Sequence, residues 1–323
     1  MWLRRANDCN NEAGLLQRAS NWAMHSSLEN LTAVSLRELS ACEGADFATA
    51  VLFDRFCKSV RHGGFIRQID GLRKAPPPPQ KLPDTKVVIV PGALYIERPE
   101  LGGDGRLVRG VAERFGYETD LIPLASFGAV TTNARLICDW LHKYRHQRMI
   151  LVSLSKGSAD LKLALESPEA GTLFRNAVAW VNVCGPLNGT RMANWILDSR
   201  LRSWCFRAKC LLQRRDFGLI TDLRCAADAP LAKAVQLPPA MQMLSLVGFP
   251  LRQDMTTQHS RFCHRTLAGW GPNDGTTSLA DLVTWPGNIY PVWGADHYFK
   301  PEILASELIA ALLHYIAETP WAI

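Results

Sequence analysis

The sequence predicts an α/β protein built on a mostly parallel, twisted sheet with helices on both faces. Three observations carry that expectation. Short apolar runs alternate with amphipathic segments from residue 85 onward, the runs tend to close on Gly or Pro, and the composition supports one large core. The chain has 323 residues, of which 47% are hydrophobic and 20% charged, an ordinary globular balance.

Residues 1–75 are helix-prone and mixed in polarity. Leu28, Leu31, Leu36, Phe47, Val51, Phe53 and Phe56 follow no strand alternation, so this stretch reads as an accessory helical segment. Residues 76–84 form a linker headed by Pro76-Pro-Pro-Pro79, whose locked rings favour an extended backbone. The main domain then spans 85–323. Its expected strands are 87–90, 118–122, 149–152, 177–183, 243–248 and 288–293. Expected helices cover 106–115, 133–145 and about 157–166, with Leu136, Ile137, Trp140, Leu141 and Tyr144 on the packed face of the second. Pro301 should open a last helix packed through Ile303, Leu304, Leu308, Ala311, Leu312 and Tyr315. Between about 186 and 239 the alternation stops. Helical character persists there without a convincing strand, which points to an inserted helical cap rather than a long structureless loop.

The bulk numbers narrow the function. A formal charge of +6 with acids interspersed gives no basis for nucleic-acid binding. The nine cysteines are scattered and form no CxxC pair, so they read as free thiols in a reducing compartment. No apolar run is long enough to span a bilayer, and the polar residues after Met1-Trp-Leu-Arg-Arg5 do not resemble a secretory leader, so a cytoplasmic setting is expected. The cap interval carries Arg191, Arg200, Arg202, Arg207, Lys209, Arg214, Arg215, Arg224 and Lys233 around Trp195, Trp204 and Phe206. Such a pattern suits either a solvated helix face or contact with an anionic lipid or membrane surface. Oligomeric state is not legible.

Chemistry concentrates where Ile150-Leu-Val-Ser153-Leu-Ser155-Lys-Gly157 joins an apolar strand to an amphipathic helix. A serine on such a tight turn projects its hydroxyl beyond the sheet, and it needs small residues on both sides. Gly157 meets that need, while Ser153 replaces the usual glycine of GxSxG. A serine also needs a base. Of the eight histidines, His25, His62, His142 and His146 precede it, His314 lies mid-helix, and His259 and His264 lie in a polar stretch. His297 remains, at the start of a loop after the last strand, where ligand-facing residues collect in open sheets. Asp274, in the turn-rich Gly271-Pro-Asn-Asp274-Gly, is the favoured acid to hold the histidine tautomer. Asp254 competes with it, and Asp296 ranks third because neighbours on extended backbone point apart. The oxyanion amides are expected from Lys156 and from Ala93 or Leu94 after Pro91-Gly92, with Ala93 favoured.

Two other patterns compete. Ser153-Leu-Ser-Lys156 spells SxxK, but no KTG-like partner follows and the preceding strand is wrong for that site. His259, Cys263 and His264 could ligate a metal, but further ligands are missing and a surface loop is the better reading.

Taken together, the ordered Ser155, Asp274 and His297 resemble the α/β-hydrolase superfamily, in particular its lipase and esterase-like members, over about residues 85–320. The resemblance implies a helical cap over the site and hydrolysis of a carboxylic ester through an acyl-enzyme. A thioester suits the same machinery. It implies a small-molecule or lipid ester as substrate, with no cofactor. Acyl transfer by the same triad and a non-catalytic binding protein on this fold are the alternatives.

Overall fold

The computed structural model describes residues 6–22, 27–299 and 302–319. Pro301, Cys9 and His25 of the expectations above fall outside what is described of backbone or side chain. Helices α1 (Ala6–Ser20), α2 (Ala33–Glu43), α3 (Ala45–Lys58) and α4 (Val60–Lys74) precede the sheet. The main domain then runs β1 (Thr85–Val90), α5 (Arg106–Arg114), β2 (Glu118–Leu121), α6 (Val130–Tyr144), β3 (Arg148–Leu154), α7 (Lys156–Leu165), α8 (Ala170–Leu173) and β4 (Ala177–Val183). After the cap helices α9 (Arg191–Leu197), α10 (Arg200–Leu212) and α11 (Gly218–Asp222) come β5 (Gln242–Phe249), α12 (Gln258–Leu267), β6 (Asn288–Trp293) and α13 (Glu302–Glu318).

The described residues form a six-stranded sheet in the order β2-β1-β3-β4-β5-β6, parallel at every pairing. Side chains alternate across each strand, so the sheet serves two cores. On one face Val88, Leu151, Trp180 and Phe249 meet Ile137 of α6, Leu161 of α7 and Phe56 of α3. On the other, Ile89, Ile150, Val181 and Val292 meet Ile69 of α4, Val111 of α5 and Leu312 of α13. Val87 to Val90 are fully buried, which explains why that strand reads as an unbroken apolar run.

The stretch before the linker is helical as expected, but α3 and α4 are part of the core rather than an accessory to it. Strand β6 is a sheet edge, and an edge exposes backbone groups that need cover. His62 of α4 supplies it by accepting the Ile289 N–H at 3.3 Å through Nδ1. Arg61 donates to the carbonyls of Trp285 and Gly287 at 2.6 and 2.8 Å. Phe56 stacks against Phe249 with ring centroids 5.9 Å apart. Burial holds the His62 pKa down to about 4, so the ring stays neutral and keeps a lone pair for that backbone bond.

The cap contains helices and no strand. Its base is tied down by charge at a helix start: Asp216 accepts the Ala129 N–H at 3.1 Å and Asp222 accepts the Thr131 N–H at 2.9 Å, both at the positive end of α6. From α7 the buried Lys162 Nζ donates to the Leu187 and Leu231 carbonyls at 2.6 and 2.8 Å.

Several local expectations are corrected. The His259 to His264 stretch is not a surface loop but helix α12, nucleated by a capping box in which Ser260 N–H donates to Thr257 Oγ1 at 2.9 Å. After the Asp274 turn, Ser278 pairs with Asn273 in an antiparallel bridge, and a short 3-10 turn follows over Ala280–Thr284. Ile303 is exposed, not packed: it lies roughly two and a half turns from the buried Leu312 and so faces the opposite way. Leu136 is likewise on the outer flank of α6, while Ile137 and Leu141 carry the packing.

If α3 belongs to the sheet's core, Phe56→Ala should destabilise the whole protein by about 3–5 kcal/mol. Urea unfolding followed by far-UV circular dichroism measures this; an unchanged midpoint would show the N-terminal helices to be separable.

Candidate active site

The site starts from a close contact between β1 and α7. A Cβ on Gly157 would lie 2.4 Å from the Val90 carbonyl and 2.5 Å from that of Pro91, so only glycine lets the start of α7 press against the end of β1. The chain reaches that position through Ser155, whose φ of 48° and ψ of −120° are strained for a residue with a side chain. Its N–H donates to the Val183 carbonyl at 2.9 Å, which fixes the turn to the end of β4. The Ser155 hydroxyl therefore stands beyond the carboxyl end of the sheet.

Ser153 is buried one turn of strand earlier. Its Oγ accepts the Trp180 Nε1–H at 2.6 Å and bonds Ser158 Oγ at 2.7 Å. The hydroxyl thus links β3, β4 and α7, a role glycine could not fill. That commitment also removes Ser153 from the SxxK reading, since Lys156 Nζ turns instead to Asp160 at 2.7 Å.

His297 follows β6. Gly248 makes room for its loop, because a Cβ there would meet the Ala295 carbonyl at 2.3 Å. Its Nε2 lies 2.8 Å from Ser155 Oγ, and its Nδ1 lies 2.9 Å from Asp274 Oδ2. The backbone joins in, with His297 N–H donating to the Asp274 carbonyl at 2.9 Å. Asp274 sits in the turn read from sequence, where Asn273 Oδ1 accepts the Gly275 N–H at 3.1 Å. Its second carboxylate oxygen accepts the Thr276 and Thr277 amides at 2.9 and 2.6 Å.

Asp254 and Asp296, the competing acids, are committed elsewhere. Asp254 accepts the Leu251 N–H at 2.8 Å. Asp296 accepts the Thr256 amide and hydroxyl at 2.8 and 2.6 Å.

Electrostatics follow from these contacts. Burial alone would raise the Asp274 pKa, but the His297 charge and the amide bonds outweigh it, and the carboxyl lies below its ordinary value. Burial alone would lower that of His297, but the adjacent carboxylate wins and raises it above 6.5. The imidazolium is therefore favoured once a proton arrives.

Lys156, at the first position of α7, lines the cleft over Ser155. Opposite, the Leu94 N–H donates to the Ser126 carbonyl at 3.0 Å, so Leu94 is unable to serve, whereas the Ala93 amide has no acceptor among the described residues. A buried chain of polar contacts connects the two sides. Asp160 accepts from Lys156 Nζ at 2.7 Å and from Asn133 Nδ2 at 2.9 Å. Asn133 in turn bonds both the N–H and the carbonyl of Ala125 at 3.1 Å, next to Ser126, which holds Leu94. Burial draws the Asp160 pKa up to about 6 and that of Lys156 down, against their mutual attraction.

Sequence reasoning missed Thr276, whose hydroxyl lies 2.6 Å from His297 Nδ1 and 3.2 Å from Asp274 Oδ1. Its place two residues after the acid in a polar turn was the available signal. It also missed Asp160, legible only as an i, i+4 partner of Lys156, and Cys184, which follows β4 beside Asp274 and His297. Ligand atoms of Cys184, Asp274 and His297 lie within 4.8 Å of one another. Burial pushes the Cys184 thiol well up, so it stays protonated, a poor metal donor.

A cleft of about 360 Å³ opens over Ser155. One wall is apolar, with Leu107 and Val108 of α5, Leu154, Leu246, and Ile309 of α13. Also lining it are Phe127 before α6, Pro186 and Leu223 of the cap interval, and His259 of α12.

No family model matches the sequence, and no curated protein does. Solved structures do. A metagenomic carboxyl esterase superposes with a TM-score of 0.52 at 23% identity, over 75% of this chain and 78% of the other. The mature form of a Bacillus licheniformis lipase superposes with a TM-score of 0.50 at 17% identity, over 75% of this chain and 91% of the other. The protein has the α/β-hydrolase fold. Within that fold, the site described here occupies the carboxyl end of the strands, with the cap interval inserted after β4. Among the described residues no helix is long and apolar enough to cross a membrane.

Removing one member of the buried Lys156–Asp160 pair leaves the other without its partner, so Asp160→Ala should cost about 3–5 kcal/mol. Combining Lys156→Met with Asp160→Leu should recover most of that loss. Thermal and urea unfolding of the two variants against the wild type check both statements.

Proposed function

We propose that this protein is a serine hydrolase that cleaves carboxylic esters through an acyl-enzyme. The observation that carries the reading is the continuous line from Ser155 Oγ to His297 Nε2 at 2.8 Å and from His297 Nδ1 to Asp274 at 2.9 Å, with the serine on a strained strand-to-helix turn. In the reaction Ser155 Oγ attacks the carbonyl carbon while His297 takes its proton. The carbonyl oxygen becomes negative between the Lys156 and Ala93 amides. His297 then returns the proton to the departing alcohol, and the same base activates the water that releases the acid. Asp274 keeps Nε2 free to accept and stabilises the charged ring. The apolar wall formed with α5 and α13 suits an acyl chain rather than a charged or sugar-like group. That the similar structures are a carboxyl esterase and a lipase supports the same class.

A fluorophosphonate probe should label the wild type at Ser155 and leave Ser155→Ala unlabelled. Equal labelling of both proteins, or none of the wild type, would sink the enzyme reading.

The raised His297 pKa sets the acid limb of activity. Because the base must be neutral, kcat/KM should fall as pH drops through a value above 6.5, the ordinary histidine figure. Asp274→Asn removes the charge that raises it, so the limb should move to lower pH while kcat drops by about 10⁴-fold. A pH–rate profile on a soluble short-chain ester tests this; a limb that stays in place would exclude Asp274 as the partner.

A further inference from the structure

Helix α10 of the cap carries an outward apolar stripe that nothing among the described residues covers. Leu201, Trp204, Leu211 and Leu212 are 68% to 85% exposed, whereas large apolar side chains elsewhere are mostly buried. With Cys205 and Ala208 they recur at i, i+3, i+4, i+7, i+10 and i+11, which places them on one strip of the helix. Cys210 is buried on the opposite side and Phe206 packs on Phe217, so α10 already has a face turned to the body of the protein. The stripe is a second apolar face.

The charges around it are all of one sign. From Ser199 to Arg215 the sequence contains no Asp or Glu. At about 100° per residue, Arg200 and Arg207 border one side of the stripe while Arg202 and Lys209 border the other. Arg200, Arg207 and Lys209 are exposed and stand in no ion pair found among the described residues, and of the three only Arg207 lies over a ring, that of Phe217 at 4.0 Å. An apolar strip flanked on both sides by long cationic side chains matches a bilayer surface, with the apolar groups among acyl chains and the cations among anionic headgroups. A second copy suits it poorly. Two-fold pairing of such helices would bring arginine toward arginine with no acid on the helix to neutralise them.

We propose that α10 is a docking surface for anionic membranes, holding the cap against the lipid. Docking through this face rests on the stripe and its flanking charges alone, independently of the ester chemistry.

Co-sedimentation of the full chain with vesicles tests it, using phosphatidylcholine alone and phosphatidylcholine with roughly a third phosphatidylglycerol. The protein should sediment with the anionic vesicles only, and the bound fraction should fall as NaCl is raised. Leu211→Ser with Leu212→Ser, and separately Arg200→Gln with Lys209→Gln, should each weaken binding by about tenfold or more. These positions are exposed, so both variants should keep the wild-type melting temperature. Ser155→Ala should bind as the wild type does, which separates this result from the fate of the hydrolase reading. Equal uptake by neutral vesicles, no uptake by either kind, or full binding by the variants overturns the proposal. So does a dimer in sedimentation velocity that the leucine substitutions dissociate, which would assign the stripe to a second copy.

Discussion

The close approach of α7 to the end of β1 is the constraint on which the site depends. Two backbone carbonyls, of Val90 and Pro91, occupy the space where any Cβ at residue 157 would sit. That contact forces the strand-to-helix turn to be sharp, and sharpness forces Ser155 into a backbone region costing on the order of 1–3 kcal/mol. The strain is held by the buried strand before it and the packed helix after it. Its consequence is positional: the hydroxyl stands clear of the sheet, and Lys156 and Ala93, whose amides are the ones proposed for the oxyanion, both line the cleft beside it.

Holding those two amides in register requires more than the turn. The loop after β1 is fixed by its Leu94 amide, which donates to the Ser126 carbonyl. Ser126 in turn adjoins Ala125, which Asn133 clamps, and Asn133 donates to the same Asp160 that pairs with Lys156. Burying an ion pair is costly, and hydrogen bonds must compensate. Here the buried charges connect three segments that converge only at the site, so polarity in the core specifies geometry that apolar packing alone leaves loose. Asp274 shows the same logic, since its carboxylate is oriented by amides of its own turn before His297 contributes anything.

The helices outside the central sheet divide the remaining work. α3 and α4 shield the β6 edge and complete one core, which protects the strand that delivers His297. The cap borders the cleft from the opposite side and is pinned to the start of α6 by Asp216 and Asp222 and to α7 by Lys162. Along α10 the inner face is packed and the outer face combines exposed leucines with exposed cations. Stability and surface chemistry are therefore separated on the two sides of one helix.

By itself the sequence determined the parallel sheet, the order of its elements, and the placing of Ser155 and His297 at strand ends, with Asp274 only the first of three candidate acids. Each of these is written in local pattern: buried parallel strands are continuous apolar runs, a tight strand-to-helix turn needs Gly157, and an Asp-Gly turn aims a carboxylate. Residues 1–75 read as accessory because packing partners such as Phe249 and the β6 edge are distant in the chain, and mixed polarity does not reveal which face they cover. Only the tertiary structure decided that Asp274 rather than Asp254 meets the histidine, that Ala93 rather than Leu94 has a free amide, and that Asn133, Asp160, Thr276 and Cys184 belong to the site. Those choices depend on hydrogen-bond partners separated by many residues, and a one-dimensional pattern carries periodicity and turn chemistry but not which distant donor meets which acceptor.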